Sequence, residues 1–327
     1  MSVRLAGQES NCSLLWRVAA SQGVDIEFLL EELGEGEPGQ QPVEPHLAEV
    51  FLSAAAAERL AAMLNVGLER LQWALPHLRH AHLLHGPQAR WEWPWFPMDH
   101  YLVPACSRCV ALRSGGWGPI WLLWPQHWRI CGRHGQFTHV RQAGSGVDIS
   151  QLVEVMGAHR RRMRFENRHG PAGTYLVADA FAITGWWWRT AVVEPWARRA
   201  RQAGRAEGDV NAAWLWMYPE AMAVAQVLLD YERQRALQPV GPWPAAEEQL
   251  CRHLEEWAAR LGIASQLGQV PVAEWLHLHR RCMVAPDPAD GRARPVTALV
   301  HVDAELRGCW DEQRCLPWDW SDPALGP

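Results

Sequence analysis

The chain of 327 residues contains no lysine: all 31 of its basic residues are arginines. That absence excludes whole classes of chemistry. Without lysine there is no Walker A phosphate loop, no Schiff-base nucleophile and no anchor for pyridoxal phosphate. Phenylalanine and tyrosine are also scarce, at 6 and 4, while tryptophan reaches 21. Arginine in place of lysine and tryptophan in place of phenylalanine fit a GC-rich genome better than a mechanism. No Gly-x-Ser-x-Gly elbow and no His-Glu-x-x-His helix is present. The alternating strands that would carry three Mg²⁺-binding carboxylates are missing too. The expectation is that the chain is not an enzyme.

Long hydrophobic runs are lacking as well. The start, Met1 to Glu9, has no apolar core and no cleavage site, so no signal peptide is expected. The most apolar stretch, Ala212 to Leu229, is broken by Pro219-Glu220 and reads as a buried core helix rather than a membrane span. The expected compartment is the reducing cytoplasm. There, paired cysteines are more often metal ligands than disulfides.

What is present indicates a globular chain of about two domains, with 48% hydrophobic and 20% charged residues. Net charge is −5, which argues against strong non-specific binding to DNA. Its distribution is uneven: −7 over residues 1–60, +7 over 61–170 and −5 over 171–327. A basic middle of this kind is either a solvated face or a surface for a polyanion or acidic partner.

The basic block contains Cys106-Ser107-Arg108-Cys109 and, after twenty-one intervening residues, Cys131-Gly132-Arg133-His134-Gly135. Each pair is a tight knuckle presenting two ligands, and the long gap lets the chain leave and return. Cys106, Cys109, Cys131 and His134 would fill all four positions of a tetrahedral Zn²⁺, leaving none for water. That is the pattern of one structural zinc site rather than a catalytic one. The alternative is three buried thiols and an incidental histidine. Between the knuckles Trp117, Trp121, Trp124 and Trp128 recur at spacings of four, three and four. This suggests one face of a short helical pattern, limited by Pro119 and Pro125, in a tryptophan core beside the metal.

Ahead of the knuckles the pattern is helical. Asn11 or Ser13 can cap a helix bearing Leu14, Leu15, Val18 and Ala19. Asp25 can cap a second, which Gly34 stops. Glu35 to Pro45 reads as a loop. Residues 47–75 repeat the cadence: an alanine-rich helix, a sharp turn at Asn65-Val66-Gly67, and a second helix ended by Pro76. As a DNA reader this helix–turn–helix is poor, since its second helix offers only Glu69, Arg70 and Gln72. His77, His80 and His85 lack cysteine or carboxylate partners at ligand spacing, so they read as surface or core histidines.

Several of these pieces together resemble the TniQ family, which includes TnsD-type target selectors. They are Glu9-Ser10 ahead of Leu14-Leu15-Trp16-Arg17-Val18-Ala19, the Ala57-Glu58-Arg59-Leu60-Ala61 helix, Tyr101 before the first knuckle, and Trp128 before Cys131-Gly132-Arg133-His134-Gly135. The resemblance covers roughly residues 9 to 140. It implies a non-catalytic subunit of a DNA transposition system in a mobile genetic element. Such a subunit joins target DNA, or a guide-RNA effector complex, to an AAA+ ATPase that recruits the transposase. It also implies that Cys106, Cys109, Cys131 and His134 are the zinc ligands. Many members carry a further Cys-x-x-Cys pair soon after the histidine; Phe137 to Gly144 has none, so a second site there is not implied. A stand-alone zinc and helix–turn–helix transcriptional regulator stays open as the alternative, as does a homodimer. A third alternative, a hydrolase with catalytic zinc, needs one of the four ligands to be wrong.

The second half is expected to be mostly helical. Ser150 to Arg168 reads as a helix carrying Arg160, Arg161, Arg162, Arg164 and Arg168, candidate contacts to nucleic acid or a partner because guanidinium forks onto phosphate. A solvated face is the alternative. Val177 to Trp188 reads as core or subunit interface, and helices are expected at Trp196–Arg205, Ala212–Ala236 and Ala246–Leu261. Val296 to Val302 is the one strand expected. A metal set from His279, Cys282, Cys309 and Cys315 lacks a tight knuckle. The expected fold is therefore mainly α: residues 1–145 hold helix-turn-helix-like helices with the zinc knuckles, and 146–327 form a second, mostly helical domain.

Overall fold

Helices dominate the computed structural model, which describes residues 3–37, 44–93, 101–113, 118–140, 146–237 and 244–279. The chain divides into two compact units, residues 1–148 and 149–327.

The first unit starts with α1 (Asn11–Gln22) and α2 (Ile26–Leu33), followed by α3 (Ala54–Met63) and α4 (Leu68–Ala74). Leu14, Leu15, Val18, Leu29, Leu30, Leu60 and Leu71 recur at helical spacing and are fully or almost fully buried in one apolar core. The cap of α1 is Ser10, not Asn11 or Ser13. Its N–H donates to the Trp121 carbonyl at 3.0 Å, which keeps the chain extended up to this residue. The helix therefore begins one residue later, and the Ser10 hydroxyl accepts the Ser13 N–H at 3.0 Å. Asn11 turns instead to the Val50 carbonyl, at 2.7 Å. Asn65, in the left-handed region at φ 52°, makes the sharp turn between α3 and α4.

Part of the expected loop after α2 is a strand. β1 (Glu35–Glu37) and β2 (Phe51–Leu52) flank β3 (Arg90–Glu92), with Glu35 opposite Arg90 and Leu52 opposite Trp91. Trp91 closes the helical core from this side and donates its indole N–H to the Gly34 carbonyl at 3.0 Å.

The stretch expected to be a tryptophan helix is also strand. β4 (Tyr101–Pro104) pairs antiparallel with β5 (Trp121–Trp124), and β6 (Trp128–Cys131) pairs with β7 (Gln136–His139), which pairs with β8 (Val147–Asp148). The spacing that resembled a helical face is the distance between strand ends. Pro119 and Pro125 fall just before β5 and between β5 and β6, where missing N–H groups do little harm. Trp121 and Trp128 are buried, as a tryptophan core requires, and the Arg129 guanidinium lies 5.1 Å over the Trp124 ring. Trp117 and the expected strand Val296 to Val302 lie outside the described residues.

The described elements of the second unit include five α-helices: α6 (Val153–Thr190), α7 (Glu194–Gln202), α8 (Ala213–Leu237), α9 (Pro244–Arg260) and α10 (Ser265–His279). Gly170, at φ 58° and ψ −142°, breaks α6 in two. The second half of α6 and the length of α8 form the core. Leu176, Phe181, Trp187, Leu215, Trp216 and Met217 are all buried, and α8 is apolar on every side near its start. Among the described residues no helix is long and apolar enough to cross a membrane.

Candidate metal centre

Two local structures carry the four ligands. Cys106 immediately precedes the short helix α5 (Ser107–Arg113), and Cys109 follows within its first turn. The Val110 N–H bonds the Cys106 carbonyl at 2.9 Å, so the two thiols emerge on the same side. Cys131 is the last residue of β6. The chain reverses through Gly132–Gly135, with the N–H groups of His134 and Gly135 both donating to the Cys131 carbonyl, at 3.2 and 2.9 Å. Gly135, at φ 58°, makes that reversal, and Gln136 returns opposite Cys131 in the ladder.

The ligand atoms of Cys106, Cys109, Cys131 and His134 all lie within 4.8 Å of one another. His134 Nδ1 is 3.4 Å from Cys106 Sγ, 3.2 Å from Cys109 Sγ and 3.7 Å from Cys131 Sγ, and the Cys109 and Cys131 sulfurs are 3.8 Å apart. Zinc–sulfur and zinc–nitrogen bonds of about 2.3 and 2.0 Å give a tetrahedron with edges of about 3.5–3.8 Å. The set therefore fits one tetrahedral ion. Among the described residues it is the one such cluster able to hold a metal.

The thiols are in electrostatic conflict that a cation would resolve. Burial, then the neighbouring thiols of Cys131 and Cys106, push the Cys109 thiol up to about 11. Cys131 is also partly buried, yet its thiol lies below the usual range because the N–H groups of His134 and Arg133 bond its sulfur.

Residues outside the ligand motif brace the two knuckles. Gln136 Oε1 accepts both the N–H and the hydroxyl of Ser107, at 3.0 and 3.1 Å, tying β7 to the start of α5. A Cβ at Gly146 would sit 2.5 Å from the Gln136 amide, so only glycine leaves room for that side chain. Arg108 reaches Asp148 at 2.8 Å. No periodicity in the sequence marks Gln136, Gly146 or Asp148. Only Arg108, inside the first knuckle, had a signal by position.

The strands that carry the ligand set are also joined to the first helix. The Leu123 N–H donates to the Gln8 carbonyl at 2.8 Å, and the Trp121 N–H to the Ser13 hydroxyl at 2.9 Å. Behind this seam Arg17 grips Glu9 with two bonds, at 2.8 and 2.7 Å, both side chains being buried. Burial pushes the Glu9 carboxyl above its usual range, and the Arg17 guanidinium opposes that rise. Glu49 does similar work deeper in, accepting the Cys12 and Val50 N–H groups and facing His77 Nδ1 at 3.1 Å. His77 is therefore a core histidine. The side chains of the set His279, Cys282, Cys309 and Cys315 lie outside the described residues.

The five arginines of α6 are not one surface. Arg162 is buried, bonded to Glu166 at 2.7 Å with its guanidinium 5.9 Å from the Phe181 ring centroid. Its place on the core side of the helix corrects the expectation that it meets a polyanion. Arg161, Arg164 and Arg168 line a common cleft, while exposed Arg160 is not among its lining residues.

Comparison of the chain with protein-family models, with curated proteins and with solved structures gives no match.

Proposed function

We propose that this chain is a non-catalytic, zinc-stabilised adaptor that selects targets for a DNA transposition system, joining target DNA or a guide-RNA complex to an AAA+ ATPase and its transposase. The observation that carries the reading is the closed Cys106–Cys109–Cys131–His134 tetrahedron joined to the first helix. Four protein ligands leave no open position for a metal-activated water, so the metal's role is to hold structure. Cys₃His ligation with three soft thiolates favours zinc.

The residues behind the TniQ resemblance have structural roles that support it. Glu9 pairs with Arg17, Ser10 caps α1, and Trp128 opens the strand that ends in Cys131. They form a seam between the helical head and the metal strands. A rigid body of this kind can present one face to the ATPase and another to the target complex.

The test is a tagged pull-down from the native host with mass spectrometry of co-purifying proteins. An AAA+ ATPase and a transposase are expected. Recovery of DNA alone, with neither protein, would favour a stand-alone regulator acting through α3 and α4. That alternative has few side chains to read bases, since α4 is seven residues long and offers Glu69, Arg70 and Gln72.

A further inference from the structure

The second unit contains a cleft of about 770 Å³, walled by α6, α8 and α9. Arg161, Arg164 and Arg168 enter it from α6 at i, i+3 and i+7 spacing, one face of a helix. None of the three has a carboxylate partner among the described residues. Arg233 enters from α8 and is paired with Asp230 at 3.0 Å. The cleft's two carboxylates, Glu154 and Glu220, are both committed. Each accepts two bonds from the buried guanidinium of Arg199. Three guanidinium groups of the cleft, those of Arg161, Arg164 and Arg168, are therefore left without internal neutralisation.

A second observation bears on the charge of the cleft. His169 lines the same cleft at the break before Gly170, is only 5% exposed, and its Nδ1 has no hydrogen-bond partner among the described residues. Burial, then the charges of Arg233 and Arg168, hold this imidazole below its usual pKa, an internal report of positive potential in the cleft. Trp257 and Phe165 add aromatic surface to the walls.

We propose that this cleft seats a single strand of nucleic acid, with successive phosphodiester groups on Arg161, Arg164 and Arg168 and a base against Trp257. From Arg161 to Arg168 the helix rises about 10 Å, the span of two or three phosphates. Cationic groups beside an aromatic wall in a concave groove match single strands, whose bases and phosphates enter together. A duplex keeps its bases stacked inside. The inference deepens the adaptor reading by naming the polyanion but stands on the second unit alone.

Fluorescence anisotropy of the full chain with a labelled oligothymidine of about 20 nucleotides, from about 50 to about 200 mM salt, tests it. The variant Arg161→Gln/Arg164→Gln/Arg168→Gln changes exposed side chains and is expected to unfold at the wild-type temperature. It should bind at least about tenfold more weakly and lose about 2 from the log–log salt slope, at about 0.7 per phosphate contact. Arg160→Gln, one residue outside the cleft, should bind as wild type. Equal affinity and slope for the triple variant overturn the proposal, as does a preference for duplex. Binding of a mononucleotide as tight as the oligomer overturns the strand assignment. Loss of oligomer binding with ATPase capture intact is the expected behaviour of the triple variant; intact oligomer binding in wild type without ATPase capture sinks only the adaptor reading.

Discussion

The two units stabilise themselves by different physics. In the part of the first unit that carries the ligand set, no strand among the described residues exceeds four residues. Its apolar clusters are correspondingly small: one holds Ala6, Ile120 and Leu122, another Leu102, Trp121 and Leu123. Val103, Trp128, Ile130 and Phe137 are buried as well, but strands this short make few ladder bonds to offset the chain entropy of ordering them. Directed contacts add to that burial: the four side chains placed to hold a metal ion, the Glu9–Arg17 pair and the Gln136 strap. The second unit has helices of 38 and 25 residues packed on one another over buried Trp187 and Trp216. There, ordinary apolar burial suffices, at roughly 25 cal/mol per Å². Removing a polar group should therefore damage the first unit, and in one case should improve the second.

The largest expected effect comes from the metal. Structural zinc contributes on the order of 10 kcal/mol in small domains. Chelation, or Cys131→Ala, should release amide protection across β4 to β7 while α6 and α8 keep theirs. Hydrogen exchange read by mass spectrometry distinguishes the two units in one experiment, and metal analysis should give one zinc per chain. Unchanged protection in β6 and β7 after complete metal removal would mean that the strands stand on their own packing. Next comes Arg17→Ala. It leaves the Glu9 carboxyl buried without its cation, a change that typically costs about 3–5 kcal/mol. The double variant Arg17→Met/Glu9→Leu should recover much of that loss. If it does not, the pair also orients the seam between α1 and β5.

In the second unit the sign reverses. Burial pushes the Asp179 carboxyl up to about 7, although the Trp275 indole N–H bonds it at 2.8 Å and opposes the rise. The folded state therefore holds this proton up to about pH 7, whereas the unfolded chain releases it near pH 4. Between those values the native state binds more protons, so stability falls as pH rises, and above pH 7 the penalty is constant. Asp179→Asn keeps an acceptor for Trp275 and never ionises. Its advantage over wild type should be absent below about pH 4, open through pH 7, and reach on the order of a few kcal/mol at pH 8. Urea midpoints at the two ends of that range check it. Glu232 is buried and pushed up to about 7 in the same way, so some slope should persist in the variant.

The same contrast decides how much of the molecule the sequence reveals. Helices with apolar faces announce themselves, as α1 through α4 and α6 through α9 do, because burial repeats at 3.6 residues. The four metal ligands are equally legible, since the reach of a turn fixes their spacing. Strands of two to four residues offer too few repeats to establish a period of two. For that reason the Trp121–Trp124–Trp128 spacing passed for a helical face. Gln136 and Gly146 are invisible because their roles arise only when distant segments meet. The α6 arginines lie between these cases: their density was plain, but the burial of Arg162 depends on Glu166 and Phe181 lying beneath it.

The smallest effect tests the position of a helix start. If α1 is capped by Ser10, Ser10→Ala should cost about 1 kcal/mol, the usual value of a serine N-cap. An asparagine at residue 10 should restore most of it, because its side chain can accept the same N–H. Asn11→Ala removes a different contact, the 2.7 Å bond to the Val50 carbonyl, and no exchange at residue 10 should rescue it. Were Asn11 the cap, the rescue pattern would invert. A double-mutant cycle read from thermal unfolding measures the coupling between these adjacent residues, which should be small if one is a cap and the other a tertiary bond with no shared partner. Additivity would place the helix start at the seam with β5, so that the metal strands fix where the first helix begins.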